Sequence, residues 1–234
     1  MSELTDRIAE NVAEVRQRMA DAAARSGRTA EQVALVGVTK YVGPAEARAL
    51  VEAGCTELGE SRPQQLWDKA EALRELPIRW HMIGHLQRNK VRRTLPLVAM
   101  VESADNPRLV TAVDRIAGEL SRRTPILLEV NVAGEAAKHG FEPAAMEPFL
   151  EALADLRNVE VRGLMCMAGF EGGPDAARRD FAELRRLRDK LQVNCPPGIV
   201  LDELSMGMSG DYEVAIEEGA TIVRVGSALF RGVL

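Results

Sequence analysis

The chain has 234 residues, of which 46% are hydrophobic and 28% charged, and its formal net charge is −5. This length and apolar content suffice for one large α/β barrel with a sizeable core, while the negative charge argues against a general affinity for nucleic acid or anionic membranes. No apolar run approaches the roughly eighteen residues that a membrane-spanning helix requires.

Strand and helix patterns alternate along the chain. Apolar residues at three- and four-residue steps predict an amphipathic opening helix over residues 1–26. Eight apolar runs then predict strands, in the order "VALVGVTK", "CTELGE", "IRWHMIG", "PLVAMVES", "PILLEVNV", "VEVRGLMCM", "LDELSMG" and "TIVRVG". Helices are predicted between them over residues 44–54, 63–73, 105–115, 143–156, about 181–191 and 209–218, with Asp105 as the cap of the third of these.

The alternation of eight strands with helices and short loops predicts the fold class. It favours a single (β/α)8 TIM barrel over an open doubly wound sheet. Because the sequence contains no linker or low-complexity stretch, we expect residues 1–234 to form one domain, with the helix over 1–26 packed on the barrel.

The loops after the seventh and eighth strands predict a phosphate site. Phosphates often bind barrels where these two loops meet helix N-termini, and here the loops read "SMGMSGD" and "GSALF". We expect Ser209 and Ser227 to cap the two following helices, and Gly207, Gly210 and Gly226 to allow a close approach of the backbone N–H groups. Helix capping and turn formation explain either loop alone, but the occurrence of both loops favours a phosphate-binding site.

Two cations at strand positions complete the candidate site. Lys40 ends the first strand, where a neutral amine at the barrel mouth can attack an aldehyde, although a lysine pointing outward is the simpler alternative. Arg224 lies in the middle of "TIVRVG" and needs a partner, which is either a bound molecule or a core carboxylate such as Glu129 or Asp202. A ligand with an aldehyde, a ring and a phosphate would fit the amine of Lys40, the cation of Arg224 and the two phosphate loops.

Several stretches also resemble a known family. They are "VGVTK", "LGESR", "WHMIGHLQRNK", "VNVAGEAAKHGF", "GLMCM" and "LSMGMSGDYEVAIEEGATIVRVGSALF", spread between residues 33 and 230. In these stretches the sequence resembles the pyridoxal phosphate homeostasis proteins, which share the single-barrel fold of the N-terminal domain of alanine racemase. The resemblance implies pyridoxal 5'-phosphate (PLP) as the cofactor.

The resemblance also implies roles for individual residues. Lys40 forms the Schiff base with PLP, and Arg224 faces the pyridine nitrogen. Ser209, Gly226 and Ser227 hold the phosphate, with Met208 in the same loop. Ser61, where the family usually has asparagine, His85 and Ser205 complete the expected cofactor-binding set.

The function implied by the resemblance is PLP binding and the maintenance of intracellular PLP, without robust catalysis. Alanine racemase takes a catalytic tyrosine from a second domain, whereas this chain is accounted for by the barrel. Two alternatives remain, a PLP-dependent racemase or lyase and a Schiff-base aldolase. We expect PLP-requiring apo-enzymes as possible partners and a monomer as the simplest state; which enzymes receive PLP is not evident from the sequence.

The cysteines and histidines carry no metal pattern. Cys55, Cys166 and Cys195 are odd in number and lack metal-ligand spacing, which predicts reduced thiols in a cytoplasmic protein. The first residues lack the apolar middle of a signal peptide. His81 and His85 are four residues apart but lie on a strand and the loop after it, so we expect no shared metal ion.

Overall fold

The structure is a computed structural model that describes residues 3–135, 139–169 and 172–233. Its eight parallel strands close into a barrel in chain order, which confirms the predicted fold class. The strands are β1 (Ala34–Val38), β2 (Glu57–Glu60), β3 (Arg79–Met82), β4 (Val98–Ala104), β5 (Thr124–Glu129), β6 (Val159–Met165), β7 (Glu203–Ser205) and β8 (Ile222–Val225).

Helices surround the barrel. They are α1 (Glu3–Arg25), α2 (Pro44–Glu52), α3 (Pro63–Ala72), α4 (Val91–Thr94), α5 (Pro107–Glu119), α6 (Met146–Ala152), α7 (Gly173–Val193) and α8 (Tyr212–Glu217), and a short 3-10 helix follows β8 over Ser227–Phe230. α1 is the additional N-terminal helix, and it packs against α2, α8 and the last 3-10 helix. Its buried Asn11 donates hydrogen bonds to the carbonyls of Leu229 and Arg231, which ties the helix to the end of the chain.

The barrel interior contains both an apolar and an ionic part. Val36, Leu127, Met165 and Ile222 form a small apolar cluster inside the strands. Buried charged residues also occur on the strands, among them His81, Glu102 and Arg224. At Gly163 a Cβ atom would lie 1.9 Å from the carbonyl oxygen of Glu203, so β6 and β7 approach closely because residue 163 is glycine.

Three predicted boundaries are wrong in detail. Asp105 does not cap α5: Asn106 has the extended backbone of a cap, and its side chain accepts the N–H of Leu109. The helix predicted from residue 209 begins at Tyr212, so Ser209 lies before it. The last 3-10 helix follows Gly226, and Ser227 is its first residue rather than its cap.

Among the described residues, no helix has both the length and the apolar character needed to cross a bilayer.

Candidate functional site

A cavity of about 390 Å³ opens at the carboxyl ends of the strands. Seven of the nine predicted site residues line it, namely Lys40, Ser61, Met208, Ser209, Arg224, Gly226 and Ser227. Apolar side chains complete the wall, among them Val38, Val42, Ile83, Met167 and Phe230. The barrel therefore brings the predicted amine, cation and phosphate loops together at one mouth.

Lys40 lies two residues beyond the end of β1 and is half-buried. Its Nζ lies 5.0 Å from the centroid of the Tyr41 ring, which is itself 75% exposed. The amine therefore lies where the cavity meets solvent, beside an exposed aromatic ring.

A buried ion pair fixes the backbone on both sides of this mouth. Nζ of Lys69, from α3, lies 2.6 Å from Oε1 of Glu60 and 2.6 Å from the carbonyl oxygen of Thr39. Thr39 precedes Lys40 and Glu60 precedes Ser61, so one amine holds the ends of β1 and β2 together. Nothing in the sequence pattern marked Lys69, because a lysine on a helix usually faces solvent.

The loops after β7 and β8 meet at the hydroxyl of Ser209. Its Oγ accepts hydrogen bonds from the backbone N–H groups of Gly226, at 3.0 Å, and Ala228, at 3.3 Å. Asp211, not Ser209, accepts the N–H of Met208 in the turn before α8. Two backbone donors thus converge on one oxygen at the cavity wall, as they do on a bound anion.

Arg224 is only 4% exposed and points from β8 into the base of the cavity. Its guanidinium donates to Oγ of Ser205 at 2.5 Å and to the carbonyl oxygen of Cys166 at 2.8 Å. The carboxylate nearest to it among the described ion pairs is Glu102, at 4.0 Å. The core partner is therefore Glu102 rather than Glu129 or Asp202, and Ser205 lies beneath the cavity instead of lining it.

Behind Arg224 lies a network of hydrogen bonds that no motif in the sequence indicates. Ser205 donates to Glu102, whose other carboxylate oxygen lies 2.5 Å from Nδ1 of His81, and Nε2 of His81 lies 2.6 Å from Glu57. Burial alone would lower the pKa of His81, but the hydrogen bonds to Glu102 and Glu57 outweigh it and raise the pKa to about 9. Burial would likewise raise the pKa of Glu102, but His81 and the charge of Arg224 hold that pKa below its ordinary value.

Glu129, at the end of β5, is a second buried carboxyl near the mouth. Burial raises its pKa to about 7, the charge of Asp105 adds to this effect, and Arg224 and His85 oppose it. The carboxyl thus changes charge near neutral pH, because the effect of burial outweighs the attraction of Arg224 and His85.

His85 lies outside the cavity that Lys40 lines. It borders a neighbouring cavity of about 790 Å³ that also contacts Gln87, Asn89 and the start of α5. Its Nδ1 lies 2.6 Å from Asp105, and its ring stacks on that of His139 at a centroid distance of 4.5 Å. Contact between His85 and the cofactor stays a prediction, and residues 136–138 of the loop before His139 lie outside the described residues.

Comparisons with known proteins agree with this geometry. The family described as alanine racemase, N-terminal domain, matches residues 5–232. Proteins named pyridoxal phosphate homeostasis protein are 40% identical to this chain in Aquifex aeolicus, over 94% of this chain and 96% of that protein, and 40% identical in Pseudomonas aeruginosa, over 95% and 94%. The structure of PipY from Synechococcus elongatus with PLP bound superposes with a TM-score of 0.84 at 35% identity, over 95% of this chain and 99% of PipY.

Proposed function

Because the chain belongs to the alanine racemase N-terminal-domain family, and within it to the pyridoxal phosphate homeostasis proteins, we propose that it binds PLP reversibly and helps to keep the PLP supply of the cell balanced. The observation that carries this proposal is that Lys40, Arg224 and the Ser209 loop line one cavity. The similar protein PipY has been solved with PLP bound.

The residues of the cavity fit the three parts of PLP. The N–H groups of Gly226 and Ala228, now directed at the hydroxyl of Ser209, would donate to the phosphate, while the hydroxyls of Ser209 and Ser227 can turn to donate as well. Apolar side chains such as Val38 and Ile83 would flank the ring. When bound, PLP supplies an aldehyde that condenses with an amine and releases water, and Lys40 is the amine at the mouth.

Arg224 sets the chemical character of the site. A guanidinium does not deprotonate in proteins, so Arg224 would donate a hydrogen bond to the ring nitrogen and would disfavour protonation of that nitrogen. A ring without that proton withdraws electrons weakly and gives little assistance to carbanion chemistry. Arg224 therefore favours holding PLP over catalysis on it.

The ionisable groups of the cavity support the same conclusion. Among the described residues that line it, the ionisable side chains are Lys40, Tyr41 and Arg224. Racemisation needs two groups that exchange protons on opposite faces of a bound amino acid, and an aldolase needs an acid or base beside its lysine. The candidates for such a pair are Lys40 and Tyr41, which are adjacent in the chain and lie 5.0 Å apart, from Nζ to ring centroid, at the exposed side of the mouth. Among the described lining residues no carboxyl or imidazole accompanies them, so a carrier is the function that this cavity supports best.

The visible absorption spectrum tests the proposal. We expect purified protein mixed with PLP to be yellow, borohydride to remove the band and fix the cofactor to Lys40, and the Lys40→Ala variant to lack both effects. Lys190→Ala, on the exposed side of α7, is the matched control and should behave like the parent. A colourless protein, or an unchanged band in Lys40→Ala, would overturn the assignment.

Amino-acid turnover separates a carrier from an enzyme. We expect the PLP-loaded protein to racemise or cleave amino acids no faster than free PLP does, whereas turnover well above that background would establish a racemase or lyase. Transfer of PLP to an apo-enzyme, followed by the recovery of that enzyme's activity, tests the carrier role directly. We further propose that the protein acts in the cytoplasm and as a monomer, which fractionation and sedimentation check.

A further inference from the structure

A continuous chain of hydrogen bonds runs through the barrel interior behind Arg224. It passes from the guanidinium to Ser205 at 2.5 Å, from Ser205 to Glu102 at 2.5 Å, and from Glu102 to His81 at 2.5 Å. It then continues from His81 to Glu57 at 2.6 Å. These five side chains form one polar layer, to which β2, β3, β4, β7 and β8 each contribute one residue.

Four members of this layer are buried, while Glu57 at its end is partly exposed. Arg224 and His81 are 4% and 5% exposed, and Glu102 and Ser205 are fully buried. A buried guanidinium is tolerated only when its charge is balanced and its donors are satisfied. Glu102, 4.0 Å from the guanidinium, balances the charge of Arg224, and its hydrogen bond to His81 favours the ionised form of Glu102.

Ser205 also helps to fix the orientation of the Arg224 guanidinium. Its hydroxyl has one proton, which it donates to Glu102, so that only its lone pairs face Arg224. The guanidinium must then direct one N–H at Ser205 and another at the carbonyl of Cys166. These two bonds fix the plane of the guanidinium and direct its remaining donors toward the cavity.

We propose that Glu102 is a positioning residue for the cofactor: through Ser205 it orients Arg224 and balances its charge, and so sets how strongly Arg224 acts on the ring nitrogen of PLP. This inference rests on the proposed function. It assigns a role to a residue of β4 that does not line the cavity.

Other charged groups near Arg224 act differently. Glu129 and Asp211 interact with Arg224 electrostatically, but neither accepts one of the hydrogen bonds described for its guanidinium. Asp211 is engaged by the N–H of Met208. Glu57 lies at the far end of the chain of hydrogen bonds, where it also accepts from Arg79. Glu57 therefore serves as a matched control for a carboxylate in the same layer.

The test compares Glu102→Gln with Glu57→Gln by two measurements. The first is the Nε–Hε NMR signal of Arg224 in the cofactor-free protein, assigned by its loss in Arg224→Lys. We expect Glu102→Gln to shift and broaden this signal and Glu57→Gln to leave it close to the parent. The second is the pH midpoint of the colour change of bound PLP, which reports the protonation of the nitrogen atoms of the bound cofactor. Glu102→Gln should lower this midpoint by about half a unit or more, because the loss of a nearby negative charge disfavours the protonated, cationic form.

Each outcome decides the proposal. An unchanged Arg224 signal and colour midpoint in folded Glu102→Gln would overturn it, and so would equal changes in Glu57→Gln, which would indicate general loosening of the core. If Glu102→Gln does not fold, the Ser205→Ala variant replaces it. This variant removes the hydrogen bonds that connect Arg224 to Glu102 but leaves the Glu102–His81 pair, and the same two measurements apply. If the protein fails to bind PLP, the proposed function fails, yet the NMR measurement still tests the positioning of Arg224.

Discussion

The hydroxyl oxygen of Ser209 lies 3.0 Å from the backbone nitrogen of Gly226 and accepts its hydrogen bond. This bond joins the loop after β7 directly to the loop after β8. A phosphate oxygen has the same acceptor character as the hydroxyl and carries more charge, so it can take over the backbone donors while Ser209 turns to donate. We therefore expect the two loops to bind a phosphate with little rearrangement of the backbone.

Replacing Ser209 by alanine should therefore weaken the binding of PLP. We expect the dissociation constant to rise about tenfold, because a hydrogen bond to a charged group contributes roughly 1.5 kcal/mol or more. Absorbance titration measures it. Pyridoxal, which lacks the phosphate, should bind Ser209→Ala and the parent equally well, and Ser26→Ala, at the far end of α1, should change neither constant. Equal loss for PLP and pyridoxal would show that Ser209 does not contact the phosphate.

Two glycines of the same loops should respond differently to alanine. A Cβ atom at Gly226 would lie 3.4 Å from Cβ of Val38, an ordinary contact, whereas at Gly207 the backbone has φ +91° and a Cβ atom would lie 2.5 Å from that of Ala215. We expect Gly207→Ala to lower the free energy of unfolding by about 2 kcal/mol or more. Gly226→Ala should lower it by at most about 1 kcal/mol yet weaken PLP binding, because Gly226 lines the cavity and an added methyl group would occupy part of it. Urea denaturation and titration separate the two effects, and a stable Gly207→Ala variant would contradict this account.

The barrel and the meeting of the loops after β7 and β8 could be predicted because their signals are local. The alternation of strands and helices, the glycines at 207, 210 and 226, and an arginine within an apolar strand are all visible in short stretches of sequence. The exact caps could not be predicted in the same way. Asp105 and Asn106 are adjacent and chemically similar, and only the backbone conformation decides that Asn106 caps α5 while Asp105 binds His85.

The polar layer inside the barrel was not predicted either, and the reason is a different one. In "PLVAMVES" Glu102 resembles a charged residue at the exposed end of a strand. His81 in "RWHM" has no partner nearby in the sequence. Closure of the barrel brings β3, β4, β7 and β8 to one level and places these side chains together. Such contacts depend on the register between strands, which the sequence of one strand does not contain.

Glu129 should make the stability of the cofactor-free protein depend on pH. Its pKa is raised to about 7 in the fold, so the stability due to its neutral form is present below its unfolded pKa of about 4.5 and is lost as the pH rises through 7. Glu129→Gln should therefore be more stable than the parent at pH 8, by about 2–3 kcal/mol, and equally stable near pH 4.

Urea denaturation across this pH range checks the result. The exposed Glu52 at the end of α2 is the matched control, and Glu52→Gln should show no pH-dependent difference from the parent. A constant offset between Glu129→Gln and the parent at all pH values would mean that Glu129 does not titrate in this range.

The buried pair of Lys69 and Glu60 should contribute far more to stability than an exposed pair does. Lys69→Met leaves the fully buried Glu60 without its partner at 2.6 Å, and breaking such a pair lowers the free energy of unfolding by about 3–5 kcal/mol. The double variant Lys69→Met/Glu60→Gln should recover part of this loss, because no buried charge remains. Arg74→Met, which breaks an exposed pair with Glu71, should change stability by less than about 1 kcal/mol. Because Lys69 also holds the carbonyl of Thr39, the double variant should still bind PLP more weakly than the parent, and full recovery of both stability and binding would mean that Lys69 does not position Lys40.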